Sequence, residues 1–339
     1  MTFRFASTLL SAAIVVSSAA AVTAITVTTA NAADLKPLVI AEPIHMIGYL
    51  PLYVAIHKGY FAKEGYDVKL LTVESGSGHI NAVLSHQALA FIGGPEHDAY
   101  AKVRGAELRT VVNVVNRGNI YLVAKKGLMP TGTDYAGFLK GKTVAVQGVG
   151  TTPNSIWKFL SDKWKLDPNS VHTAETTAAG VLAAVASGQA QVGLATEPQI
   201  TQGIQQGIWS EPFYSIPKEL GPYAYSTLNV LEDEIKSNPA EVESFVRAVT
   251  AGLKETYAHP DEAKAIARQE FPTMPAADLN ATVDRSFKDD LWSHDGMVSP
   301  ESWATAENVV LKAGILKQPV AYNDIIDMQF VKKIAASGK

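Results

Sequence analysis

Short apolar runs alternate with segments of helical period along nearly the whole chain, and that alternation restricts the fold more than any other feature. Strand-like runs fall at 38–41, 68–73, 89–92, 108–115, 143–146, 171–174 and 192–195, and amphipathic stretches such as 52–61, 80–85 and 155–164 lie between them. Such alternation predicts βαβ units and parallel sheets.

The pattern divides in two. Ser85-His86-Gln87-Ala88 is echoed by Ser187-Gly188-Gln189-Ala190, each a polar turn between a helix end and a buried strand. Extended segments at 119–124 and 223–230 read as crossings between the halves. The expected organisation is a discontinuous first lobe, 33–124 with 225–339, and a second lobe, 125–224, joined by a two-strand hinge that can close on a ligand. Beyond Val230 the chain turns helical: Asn238 and Pro239 open a helix with Val242, Phe245, Val246, Val249, Leu253 and Tyr257 on one stripe. This tail is expected to pack on the first lobe.

Residues 1–32 read as an export signal. Arg4 supplies a positive start, apolar and small residues fill 9–27, and Ala30-Asn31-Ala32 forms a cleavage site. The expected product is a soluble periplasmic chain, since no later stretch approaches the roughly 20 apolar residues of a spanning helix. With no cysteine, disulfides, thiolate metal sites, a cysteine nucleophile and a lipid-acceptor cysteine are all excluded. The net charge of -4 argues against nucleic acid as a partner.

Enzyme signatures are absent: there is no G-x-x-x-x-G-K-[ST], H-E-x-x-H or G-x-S-x-G. Gly148-Val149-Gly150 superficially suggests a dinucleotide loop, but Pro153 stands where a third glycine is needed. Thr151, Thr152 and Asn154 are instead expected to offer donors to a ligand, with helix capping as their other use. Loops after the first three strands carry further candidates: His45, Met46 and Tyr49; Ser75 and Ser77; Gly94 and Glu96. In open α/β sheets all of these would face a cleft at the carboxyl ends of the strands. Arg117, before the proposed hinge, could fork onto a carboxylate or sulfonate, or form a surface ion pair. Tyr49, Tyr223 and Tyr225 could form a platform for a flat ligand. The eight histidines lack metal spacing, His97 beside Glu96 and Asp98 included, so neither metal nor cofactor is expected.

Pro51-Leu52-Tyr53-Val54-Ala55, followed by Lys58-Gly59-Tyr60-Phe61-Ala62-Lys63-Glu64-Gly65-Tyr66-Asp67-Val68, resembles a signature of the substrate-binding proteins of nitrate/sulfonate/taurine-type ABC transporters. That family is related to binding proteins for thiamine-pyrimidine precursors. Gly141-Lys142-Thr143-Val144-Ala145-Val146, Gly150-Thr151-Thr152, Ser187-Gly188-Gln189-Ala190 and Glu197-Pro198 are similar to its second-lobe signposts. The resemblance implies an α/β, type II periplasmic-binding-protein fold, with Glu197 joining the candidate ligand residues. It also implies a monomer that delivers a small solute to ABC permease subunits in the inner membrane. Leu89 and Gln191 stand where the family carries acids, His86 replaces a glycine and Thr196 a tryptophan, so the ligand does not transfer with the fold. A small organic anion, sulfonate or carboxylate, leads; a pyrimidine-like or other aromatic heterocycle follows. An exported enzyme of related fold, or a partner of a membrane sensor, are the readings from other classes.

Overall fold

The computed structural model describes residues 35–73, 77–149 and 151–338; the expected export signal and Ser75 lie outside the described residues. Among these residues ten strands form two five-stranded sheets. They are β1 (Lys36–Glu42), β2 (Tyr66–Thr72), β3 (Ala90–Gly93), β4 (Leu108–Val115), β5 (Tyr121–Ala124), β6 (Thr143–Gln147), β7 (His172–Thr176), β8 (Val192–Ala195), β9 (Tyr214–Ser215) and β10 (Ser226–Leu231). One sheet has the order β2-β1-β3-β10-β4 and the other β7-β6-β8-β5-β9.

The expected parallel strands form only the core of each sheet. β1 pairs in parallel with β2 and β3, and β6 with β7 and β8. In each sheet the strand next to that core is antiparallel and has just arrived from the other lobe: β10 beside β3, and β5 beside β8. Residues 121–124, expected to close the first lobe, therefore belong to the second sheet, and the first crossing lies ahead of Tyr121. The second crossing leads from β9 to β10.

Local chemistry sets the elements. The expected helix 52–61 is two pieces, Leu50–His57 and Tyr60–Lys63, because Gly59 adopts φ +69°, which glycine reaches without a Cβ clash. Asn238 does occupy the cap position before Pro239, but its side chain donates to Glu234 at 2.8 Å instead of capping the helix Pro239–Ala258. Val242, Phe245, Val246, Val249 and Leu253 of that helix are buried in the core against the helix Leu50–His57.

The helical tail does more than cover the first lobe. The helix Pro300–Lys312 packs on Thr152–Lys163 of the second lobe and on Glu96–Val103 of the first. The helix Ala276–Lys288 reaches the second lobe through Arg285, whose guanidinium pairs with Glu211 and stands 2.6 Å from Glu197.

A buried polar network fixes one wall of the first lobe. The Thr110 hydroxyl lies 2.6 Å from Asn229 Oδ1 and 2.9 Å from Asp98 Oδ2, and Thr227 donates to the Gly93 carbonyl at 3.0 Å. These bonds tie β4, β10 and β3 together and anchor the helix Glu96–Val103 at their carboxyl and amino ends. Among the described residues no helix is long and apolar enough to cross a membrane.

Candidate functional site

Segments following the strands converge on a cavity of about 590 Å³, within the usual size range for small-molecule sites. From the first lobe come the loop after β1 with His45, Met46 and Tyr49, the turn Gly93-Gly94 after β3, the imidazoles of His79 and His97, and Tyr225 with Ser226 at the entry to β10. The second lobe contributes Gln147, Thr151 and Thr152 after β6, Thr177 after β7, and Thr196, Glu197 and Gln199 after β8. Phe271 and Met274 from the tail complete the lining.

The structure gathers seven of the sequence candidates at this cavity: His45, Met46, Tyr49, Gly94, Thr151, Thr152 and Glu197. Ser77 does not line it. Asn154 is buried, with its side-chain amide donating to the Gln147 carbonyl at 3.0 Å, so it holds the loop rather than facing the cavity. Arg117 does not line the cavity and pairs with Asp290 at 3.4 Å, the surface ion-pair alternative. Of the tyrosine platform, Tyr49 and Tyr225 face the cavity, and Tyr223 stacks edge-on behind Tyr225.

Hydroxyls at the second-lobe rim are already engaged. Thr151 Oγ1 donates to the Gly148 carbonyl at 2.9 Å and accepts from the Asn154 amide at 3.3 Å, a helix cap in the usual sense. Thr152 Oγ1 donates across the cleft to Glu96 Oε1 at 3.1 Å. Glu96 lies behind the lining, fully desolvated, and burial pushes its carboxyl up to about 7.

The charged groups of the site are paired within the protein. His45 donates from Nδ1 to Glu42 at 2.9 Å, and its Nε2 pairs with Glu270 at 3.1 Å, while its ring lies between Tyr53 and Phe271. The two carboxylates, Glu270 foremost, raise its pKa to about 9, so it is an imidazolium at neutral pH with both nitrogens occupied. Glu197 accepts from the Thr201 amide and hydroxyl and from Thr282, and forms an ion pair with Arg285. Desolvation raises its pKa against those partners. Among the described residues no lysine or arginine lines the cavity.

The sequence offers His97 only as a metal ligand and gives no signal for Phe271 or Met274. His79, at the end of the glycine-rich segment expected to face the cleft, comes from the helix Gly78–Leu84, whereas Phe271 ends the helix Pro260–Glu270, a position that no local motif marks.

A family model described as NMT1/THI5 like matches residues 47–263, well over half of the chain. The chain belongs to the NMT1/THI5-like family. Three curated relatives of this NMT1/THI5-like protein extend over most of its length. YtlA of Bacillus subtilis, named as a binding protein, is 26% identical over 311 residues, covering 89% of this chain and 91% of its own. The riboflavin-binding protein RibY of Chloroflexus aurantiacus is 26% identical over 304 residues, with 84% and 83% covered. A 4-amino-5-hydroxymethyl-2-methylpyrimidine phosphate synthase of Uromyces fabae is 25% identical over 299 residues, also with 84% and 83% covered. Among solved structures, the periplasmic aliphatic sulphonate binding protein SsuA of Escherichia coli superposes with a TM-score of 0.69 at 14% identity, over 86% of this chain and 92% of that one. The fold of this NMT1/THI5-like protein is thus that of the periplasmic binding proteins, two α/β lobes with a two-strand hinge and a helical tail.

Proposed function

We propose that this protein is the solute-binding component of an ABC importer, exported to the periplasm, and that it captures an uncharged, flat heterocycle of the pyrimidine type between its lobes. The observation that carries this reading is the chemistry of the lining. Among the described residues it has no lysine or arginine, and its imidazolium, His45, has both nitrogens held by carboxylates. A sulfonate or carboxylate would enter without a free cation to replace its hydration, a transfer that is strongly unfavourable. Tyr49, Tyr225, Phe271, Met46 and Met274 instead supply apolar and aromatic surface suited to a planar ring. The heterocycles in the names of two relatives support the same class. Capture rather than catalysis fits a chain with no cysteine whose site acid Glu197 is committed to Arg285 and two threonines.

The test is a melting-temperature screen of the mature protein at neutral pH with pyrimidines, riboflavin, alkanesulfonates and carboxylates. A ligand that binds only the folded state adds about 2.7 kcal/mol of stability at a hundredfold excess over Kd. A raised melting temperature with one or more heterocycles is expected. Stabilisation by alkanesulfonates or carboxylates alone would overturn the ligand assignment.

A further inference from the structure

At the first-lobe end of the cavity, two imidazoles present nitrogens that no protein group answers. His79 is 1% exposed and neither of its ring nitrogens has a hydrogen-bond partner; Nδ1 of His97 also lacks one. The rings stand 5.3 Å apart and nearly perpendicular, with Phe91 edge-on to His79 at 5.3 Å. Buried polar groups almost always find partners, so three such nitrogens in the wall of one cavity need an explanation.

Both rings are uncharged at neutral pH. Burial, and to a lesser degree the neighbouring His97, pushes His79 down to about 3, and burial pushes His97 down to about 4. A neutral imidazole carries one donor and one acceptor nitrogen, and its tautomer adapts to the group it meets.

Gly93 decides what can meet them. A Cβ at this position would stand 3.0 Å from His97 Nδ1, 3.2 Å from His79 Nε2 and 3.2 Å from the Phe91 ring. A methyl group there would press on both nitrogens and close the approach to them from that side. Gly93 lies in the lining and is not among the residues with positive φ, so its backbone does not itself demand glycine. Without a side chain, Gly93 leaves the two imidazoles uncovered on its side.

We propose that a single uncharged amino or hydroxyl substituent of the captured heterocycle approaches over Gly93 and bonds to the unpartnered nitrogens of His79 and His97, which makes the pair a determinant of specificity. The inference rests on the heterocycle reading above and deepens it. A site built to hydrogen-bond one substituent discriminates strongly against a ligand of the same shape that lacks it, because its own buried groups are then left unpaired.

The experiment is calorimetric titration of the mature protein with 4-amino-2-methylpyrimidine and with 2,4-dimethylpyrimidine, which exchange an amino group for a methyl group of similar size. The wild type is expected to prefer the amino compound by about tenfold or more. His79→Phe, which keeps a flat ring against Phe91, and Gly93→Ala, whose methyl group would cover the two nitrogens, should each abolish most of that preference. Ligand-free His79→Phe should melt no lower than the wild type, since it breaks no protein hydrogen bond. Should that variant fail to fold, Gly93→Ala, which removes no side chain, carries the test alone. An undiminished preference in the folded variants, or equal wild-type affinity for the two compounds, overturns the proposal and leaves the heterocycle reading standing. A wild type that binds neither compound overturns this proposal, and one that also binds no heterocycle in the melting-temperature screen overturns both.

Discussion

Glu96 shows how far a single residue can be read before its surroundings are known. In the sequence it is an acid opening a helix, where the dipole would favour its charge. In the structure it is completely buried, Thr152 donates to one oxygen, the other has no partner, and Asp98, Tyr100, Tyr223 and Tyr225 surround it without a cation. Burial therefore wins and raises its pKa from 4.5 to about 7. The native state then holds a proton that the unfolded chain releases. The corresponding stability is fully present below about pH 4.5 and lost as the pH rises through about 7, on the order of 3 kcal/mol for this one group. Glu96→Gln should flatten that part of the stability-versus-pH curve and melt higher than the wild type at pH 8.5. Melting curves from pH 5.5 to 8.5 in the two proteins check this, and parallel curves would refute it. The same contrast explains which site residues were legible. His45, Tyr49 and Thr152 stand in strand-end loops that the fold turns toward the cleft, and the sequence marks such loops with glycines and hydroxyls. Arg117 carries the right chemistry, but it meets Asp290 from the distant tail, a pairing that only the folded chain reveals.

At the scale of elements, the alternation of strand and helix was readable because each period reports a buried face. Seven strands fall within a residue or two of their expected places. Close approaches between elements leave no such trace. Gly252 sits within the apolar stripe of the helix Pro239–Ala258, and a Cβ there would come within 2.4 Å of the Pro51 carbonyl and 2.7 Å of Ala55 Cβ. The two helices therefore touch backbone to backbone, and the glycine is required by its partner rather than by its own helix, where it is the weaker former. Gly252→Ala should force the pair apart and cost about 1–3 kcal/mol, as overpacking does in other cores. Thermal denaturation should show a melting temperature several degrees lower, with ligand affinity unchanged. An unaltered melting temperature would mean that the helices are not in contact there.

For the whole molecule, the sheet partners of β5 and β10 matter most. Each strand enters the opposite lobe antiparallel to its core, so on the proposed capture reading the two crossings would be the straps about which the lobes rotate. Working against rotation are contacts that span the cleft: Thr152 to Glu96, Arg285 to Glu197, and the Tyr121 hydroxyl donating to Asp289 at 2.6 Å. Opening must break some of these, and a ligand that touches both lobes favours the form in which they are made. Thr152→Val keeps the shape of the side chain and removes the donor, leaving a buried carboxyl without its cross-cleft partner only when the lobes are shut. A penalty of about 1–2 kcal/mol on the closed form alone lowers apparent affinity by roughly five- to thirtyfold, because binding is diluted by the smaller closed population. X-ray scattering should show the wild type contracting as ligand is added, and Thr152→Val contracting to the same radius only at higher ligand concentration. Dimensions that stay constant to saturation in both proteins would show a preformed cleft, with Thr152 and Glu96 holding it shut.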